Sequence, residues 1–520
     1  MWIATAEHSR QIDSRADREF GIPAKLLMER AGLAVFEAVR SFVPTGKYVA
    51  VLCGKGNNGG DGFVAARLAR DHGYFVTCLI SCDTPEQLSP LARQQYEIGR
   101  NENVCMVFCS EEKWAKKLEC LANYDVIIDA LLGTGATRQV EGITRDAIQA
   151  INKSGTPVVA VDIPSGIVCD SGEELGESVW ACRTVTLGFP KPCFFQGIGL
   201  EHSGFWEVAP LQLPQTLLDE PTSAKLIDRE WIANLLPERM RNSHKGESGS
   251  IVIVAGSREM PGAATLVAKA ALRSGIGLVT VASIDSVCDA VAANVPEALL
   301  LRLPERDGAI SPSAVSKLLE RQDKFKGAVF GPGLSQSDAV RQFLGDLWHK
   351  WTKCSVIDAD ALNAVAAGVT LPKTDCVLTP HPGEMSRLLR LSVAELQVDR
   401  FKTVQQAVDK FRQCVLLKGP FTIVAEPNQP MLVNCTGNSG MATGGMGDVL
   451  GGVIATLVAQ DLPTYYAAAC GVHWHGLAGD FCMEEIGPVG YTAEDLTTRL
   501  PRARVRIVSS CDSKPHCSPS

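Results

Sequence analysis

The sequence has no surplus of positive charge: 58 acidic residues outweigh 50 lysines and arginines, for a formal net charge of −8. That leaves no basic footprint for nucleic acid, and no nucleic-acid partner is expected. A phosphate-bearing ligand of such a chain must be held by local backbone dipoles and not by a broad positive field. No stretch reaches the roughly 18 uninterrupted apolar residues of a membrane helix, so no membrane span is expected. The opening residues MWIATAEHSRQID have neither a basic n-region nor an apolar h-region, and a cytoplasmic location is expected. Paired cysteine is also missing: among 18 cysteines there is no CxxC and no zinc-like Cys/His spacing. Cys78, Cys82, Cys105 and Cys109 lie in or beside apolar strand-like runs and read as small buried hydrophobes in a reducing compartment. His473 and His475 stand two apart, cannot share a helix face, and make a poor metal pair.

What is present is length and an ordinary globular balance. The 520 residues are 46% hydrophobic and 21% charged, enough for two or more domains with cores of their own. In the first half, short β-branched runs alternate with helical stretches. Strands are expected at Tyr48–Cys53, Phe75–Ile80, Val104–Phe108, Val126–Asp129, Val158–Val161 and Thr184–Leu187. The spacing suits parallel strands with crossover helices. PLQLPQTLLDEPTS, from Pro210 to Ser223, reads as a linker. The alternation then restarts, with strands expected at Ser250–Ala255, Leu278–Ala282, Gly327–Phe330, Ser355–Asp358, Cys376–Leu378, Cys414–Lys418 and Thr422–Val424. Ala263–Gly275 is Ala-rich and helical, with Gly275 as its stop. The two halves share no internal repeat, and the closing VSSCDSKPHCSPS reads as a frayed tail. The expected class is α/β in two domains, and a homo-oligomer is expected.

The first chemistry-bearing constellation follows the strand YVAVLC. Gly54, Gly56 and Gly59 form GxGxxG at a strand-to-helix turn, where backbone N–H groups can approach a phosphate. The acidic residue that a dehydrogenase carries about 20 positions on is misplaced, since Asp83 comes well past the strand end. NNGGD (Asn57, Asn58, Gly59, Gly60, Asp61) is the more specific feature. Two amides and a carboxylate in one tight turn serve a ligand, or else Asp61 merely caps the helix. Asp129 and Asp162 each end a strand, in DALLGTG and VDIPSG. In an open α/β sheet, ligands sit beyond the carboxyl ends of the strands, so Asn58, Asp61, Asp129, Asp162 and Ser165 are expected to converge.

GKGNNGGDG, DALLGTG, VDIPSG and TVTLGFPK together resemble the YjeF N-terminal domain, the NAD(P)H-hydrate epimerase, over roughly residues 1–213. The resemblance implies a Rossmann-like three-layer sandwich. It implies substrate contacts at Asn57–Asp61 and at Gly133, Thr134, Gly135, Ala136, Thr137, Arg138 and Gln139. It implies a potassium ion on Asn58, Asp129 and Ser165, and a catalytic Asp162 that touches the hydrated nicotinamide and acts as acid/base while the hydroxyl-bearing carbon inverts.

The second constellation is NSGMATGGMGDVLGG, residues 438–452. Its glycines precede a helical run, which suits an anion hole at a helix N-terminus. An acid directly behind such a hole is electrostatically awkward unless it does chemistry, so Asp448 is the candidate to activate a hydroxyl for attack on phosphorus, with an N-cap as the bland alternative. LTPHPGE would present His381 rigidly between two prolines, and KGPFT is a tight turn suited to nucleotide phosphates. Asp358 and Asp360 are candidates to hold magnesium through water.

PGAA, GPGL, TPHPGE, KG-x-x-T and N-x-GMATGGMGDVLGG resemble the ribokinase-like, ADP/ATP-dependent NAD(P)H-hydrate dehydratase over about residues 224–508. The resemblance implies contacts to the hydrated nucleotide from Ala263, Gly333, His381 and Asp448, and to ADP from Lys418, Gly419, Pro420, Phe421, Thr422 and Gly447. The fused arrangement resembles the bacterial form, which implies ADP with Mg²⁺ as phosphoryl donor. The expected function is repair of hydrated NADH and NADPH: epimerisation of the R and S forms, then ADP-dependent dehydration of the S form with release of AMP and phosphate. The alternative is a ribokinase-like small-molecule kinase with a Rossmann-type appendage.

Overall fold

The computed structural model describes residues 1–239, 241–242 and 244–509; the tail expected to fray lies almost wholly outside them. The chain divides into two compact units, one built from Met1–Ser223 with Gln397–Asp399 and the other from Ala224–Leu396 with residues 400–509. The segment 210–223 is no bare linker, for it carries a short helix, Gln215–Leu218, and buries Leu211, Leu213 and Leu217 in the first unit's core.

The first unit is a sheet of seven parallel strands: β1 Tyr48–Cys53, β2 Phe75–Ile80, β3 Cys105–Phe108, β4 Val126–Ala130, β5 Val158–Val161, β6 Arg183–Leu187 and β7 Phe205–Ala209. Their order is β3-β2-β1-β4-β5-β6-β7. This extends the doubly wound 3-2-1-4-5-6 arrangement, in which direction reverses between β1 and β4. The strands are apolar throughout because both faces are buried. Val49, Val51, Ile128 and Val159 face helices Ala24–Arg40 and Asn57–Asp71. Ala50, Leu52, Ile127 and Val158 face Gly142–Ser154. The result is a three-layer sandwich. β7 was not expected from sequence; four of its five residues are only half-buried.

Besides a short hairpin of Glu305–Arg306 with Ala309–Ile310, the second unit contributes to one large sheet the strands β8 Ala224–Leu226, β9 Ser250–Val254, β10 Leu278–Ser283, β11 Leu299–Arg302, β12 Gly327–Phe330, β13 Cys354–Ile357, β14 Cys376–Leu378, β15 Cys414–Leu417, β16 Ile423–Ala425 and β17 Met431–Val433. They lie in the order β8-β17-β16-β15-β14-β13-β12-β9-β10-β11. From β15 to β11 the sheet is parallel; β16 pairs antiparallel on both sides. The Ala-rich helix runs Pro261–Arg273, and Gly275, at φ 92°, follows its cap. The apolar helix Met446–Ala459 packs on β9, β12 and β13.

Among the described residues no helix is long and apolar enough to cross a membrane. Cys78 and Cys82 are buried, but Cys105 is exposed at the start of an outer strand. His473 and His475 both lie inside helix Thr464–Ile486, where burial lowers each imidazole to about 4 and keeps it neutral.

Candidate functional sites at the two sheet edges

In the first unit the loops after β1, β4 and β5 meet at the reversal point. The helix after β1 begins at Asn57 with Gly56 as its cap, so Asp61 is its fifth residue and cannot be the N-cap. Two of the three glycines stand where no side chain fits: a Cβ on Gly54 would stand 1.8 Å from the Leu131 carbonyl oxygen, and one on Gly59 would stand 2.0 Å from that of Gly54. The first backbone N–H groups of that helix face outward at its positive end.

Asp129 is fully buried. Its Oδ1 accepts from Ser165 Oγ at 2.6 Å and its Oδ2 from Ser165 N at 2.8 Å, and Leu131 N adds a third bond at 3.2 Å. Burial nevertheless pushes the carboxyl up to about 6, because no cation pairs with it among the described residues. Asn58 sits against Gly133, whose Cβ would lie 3.2 Å from its Oδ1; its Nδ2 is buried without a partner. Asn57 Oδ1 accepts from Ser89 Oγ at 2.8 Å. Residues 134–139 form a partly exposed loop beyond Gly133.

Asp162 adopts φ 67°, a conformation costly for a residue with a Cβ. Its Oδ1 accepts from Lys191 Nζ at 3.0 Å, Leu187 N at 3.1 Å and Thr186 Oγ1 at 3.2 Å. Burial, then the charges of Asp162 and Asp13, raise the Asp61 carboxyl well above its usual range. Lys191 was missed by the sequence reading, although it ends the quoted TVTLGFPK.

In the second unit the helix Met446–Ala459 is capped by Gly445, and Asp448 is its third residue, so it is no N-cap either. Burial, then the charge of Asp358, push Asp448 up to about 7. Lys418 Nζ bonds Asp358 Oδ1 at 2.8 Å and lies 3.9 Å from Glu384 Oε2. A Cβ on Gly447 would be 3.2 Å from that ammonium and 3.6 Å from Asp358 Oδ2. Lys418 thus belongs beside the anion hole. Glu384, whose carboxyl burial lifts to about 7, was quoted in TPHPGE but given no role.

His381 caps its helix: Nδ1 accepts from Gly383 N at 3.0 Å, and Glu384 Oε2 accepts from His381 N at 2.8 Å. Burial, Lys418 and Arg387 hold the imidazole below its ordinary value. Ala263 and Gly333 touch, a Cβ on Gly333 lying 3.1 Å from that of Ala263. The turn Gly419–Thr422 holds Gly419 at φ 142° and Phe421 at φ 53°, with Thr422 Oγ1 donating to Gly419 O at 3.3 Å. Asp360 is no free ligand: its oxygens accept from Ser335 N, Gln336 and Asn363 at 2.9, 3.1 and 3.3 Å. Of the two aspartates considered for magnesium, only Asp358 faces the anion hole.

A doubly wound Rossmann-like unit with carboxylates at its switch point, and a sheet with a glycine turn and an acid at the start of the helix Met446–Ala459, define a two-site α/β enzyme. Residues 24–193 match the family described as YjeF-related protein N-terminus, and residues 251–502 match that described as NAD(P)H-hydrate dehydratase. The chain is 37% identical to the bifunctional NAD(P)H-hydrate repair enzyme of Moorella thermoacetica, over 96% of this chain and 96% of that protein. It is 35% identical to that of Escherichia coli K12, over 96% and 93%. A ribokinase-like superfamily protein from Enterococcus faecalis V583 superposes with a TM-score of 0.50 at 25% identity, covering 55% of this chain and 98% of that one. The chain belongs to the family of bifunctional NAD(P)H-hydrate repair enzymes, with an epimerase half and a dehydratase half.

Proposed function

We propose that this chain returns hydrated NADH and NADPH to service, its first unit interconverting the R and S hydrates and its second dehydrating the S form at the expense of ADP. The observation that carries the second half is the position of Asp448. It stands on the first turn of the glycine-capped helix, facing the Lys418–Asp358 pair across Gly447. Asp448 takes the proton of the substrate hydroxyl, whose oxygen attacks the terminal phosphorus of ADP, and AMP leaves. The phosphorylated carbon then loses phosphate with the C–O bonding electrons, and a proton from the neighbouring carbon leaves to restore the ring double bond. Lys418 and the N–H groups of the glycine turn stabilise the phosphoryl charge. Magnesium on the nucleotide would add neutralising charge there, and Asp358 would hold it through water.

In the first unit Asp162, held by Lys191, moves the proton of the hydroxyl-bearing centre while NNGGD and Gly133–Gln139 bind the nucleotide. Asn58, Asp129 and Ser165 would hold potassium. The donors suit it: they are hard oxygens, Asp129 is a buried carboxylate lacking a cation, and the Asn58 amide is not fixed by a partner.

The test is chemically hydrated NADH incubated with and without ADP. ADP-dependent recovery of dihydronicotinamide absorbance with stoichiometric free phosphate is expected. A stable phosphorylated product would favour a simple kinase instead.

A further inference from the structure

A cleft of about 490 Å³ opens in the second unit among the helices that follow the adjacent strands β12, β13 and β14, namely Asp338–Trp348, Ala359–Ala366 and Pro382–Leu389. Its volume falls within the range of small-molecule sites. Of the residues in its wall, only Asp360 has been considered for a ligand above, and Arg387 has appeared only beside His381. Three arginines, Arg341, Arg387 and Arg390, share that wall with an alanine floor that includes the buried Ala364.

The charges are not already spent. Arg341 pairs with Asp338, but neither Arg387 nor Arg390 makes an ion pair among the described residues. Arg387 gives only its Nε, to Asn363 Oδ1 at 2.8 Å, and keeps its two-pronged end free. Arg390 ends the helix Pro382–Leu389 at φ 60°, where glycine is usual. The one carboxylate of the wall, Asp360, is occupied by Ser335, Gln336 and Asn363.

The cleft also adjoins the site already described. A Cβ on Gly383 would lie 2.8 Å from His381 Cε1 and 3.9 Å from Arg387 Nη1, so the imidazole and the guanidinium border one surface. In the sheet, β15 and the turn Gly419–Thr422 lie on one side of β14, and the cleft lies on the other. A dinucleotide whose nicotinamide ring sits at Asp448 must still place a second nucleotide. With the co-substrate on the β15 side, this cleft offers space for it on the other side of β14.

We propose that the cleft binds the ADP-ribose half of the hydrated dinucleotide, Arg387 and Arg390 taking its pyrophosphate and the alanine floor its adenine. The proposal rests on the dehydratase reading above and assigns the part of the substrate remote from the chemistry. Guanidinium forks match phosphate oxygens two at a time, and an apolar floor accepts an aromatic base.

The test uses the full chain carrying R387Q and R390Q together. KM for S-hydrated NADH and NADPH should rise about tenfold or more while kcat changes little, the mark of lost uniform binding. KM for ADP should hold, as should the epimerase rate of the same protein, which reports that the chain is folded. Hydrated reduced nicotinamide mononucleotide, lacking the second nucleotide, should be dehydrated by variant and parent alike. ADP-ribose should compete with the hydrated dinucleotide in the parent and lose that competition in the variant. An unchanged KM for the dinucleotide, or an equal rise for the mononucleotide, overturns the proposal. If the parent dehydrated no hydrate at all, the function would be wrong; direct titration of ADP-ribose against both proteins would still decide the cleft.

Discussion

Lys191 Nζ lies 3.0 Å from Asp162 Oδ1, and the ammonium's other partners are Thr186 Oγ1 and the carbonyl oxygens of Leu187 and Phe189. Lys191 is 1% exposed, so its charge is balanced within the protein and not by water. Removing one partner of a buried pair leaves the other uncompensated, at a cost of about 3–5 kcal/mol. Lys191→Met should therefore cut epimerisation by about a hundredfold or more, with Lys191→Arg restoring part of it. ADP-dependent dehydration of purified S hydrate should be unaffected. Equal rates for parent and Lys191→Met would sink this role.

The two activities should separate by single substitutions. Asp448→Asn keeps the side chain's size but not its charge, and dehydration should fall by orders of magnitude while epimerisation persists. Asp162→Asn should do the reverse. On an R/S mixture, absorbance recovery by the Asp162→Asn protein should stall after the S fraction is consumed. Loss of both activities in a folded Asp448→Asn protein would contradict two separate sites.

The raised carboxyl of Asp448 has a pH signature. It titrates at about 7 in the folded chain against an ordinary 3.8. A base must be ionised to act, so kcat/KM for dehydration should climb as pH passes about 7. The unfolded chain gives up this proton first, so the elevated value costs stability increasingly from pH about 4 to about 7. Asp448→Asn removes that penalty. Its thermal midpoint should exceed the parent's at pH 8, and the gap should close toward pH 4; a gap independent of pH would refute the assignment.

Potassium should show linkage to Asp129, which burial raises to about 6. Binding needs the ionised form, so KCl should raise the thermal midpoint of the epimerase half more at pH 8 than at pH 5, measured against tetramethylammonium chloride at equal ionic strength. Asp129→Ala should abolish the difference and weaken epimerisation. An anomalous-scattering map without an ion near Asn58, Asp129 and Ser165 would count against the site.

The glycines of GxGxxG should not be equivalent. Gly54→Ala drives a Cβ to 1.8 Å from Leu131 O, a backbone atom, and should destabilise the first unit by several kcal/mol. Gly56, at φ −87° with nothing within 4 Å of its Cβ position, should accept alanine at about 1 kcal/mol or less. Thermal inactivation of the epimerase ranks the two.

The β1 and β12 strands, the glycine turns and the aspartates at strand ends were legible in the sequence, because period, turn chemistry and strand termination are local. The motif sets pointed to the family for the same reason: each is a short contiguous stretch that meets the ligand. The edge strands β7 and β11 were not legible: β7 carries mixed residues, and the three leucines of β11 make a run too short to tell a strand from a helix. Nor could the sequence separate a capping aspartate from a working one; only the helix starts at Asn57 and Met446 placed Asp61 fifth and Asp448 third in their helices, past the cap. Which charges meet was decided by tertiary structure alone. Lys418 and Asp358 are 60 residues apart, and the arginine-lined cleft draws on the helices that follow three strands. No local pattern encodes such meetings, because a buried ion pair is specified by the packing of the strands that carry its ends.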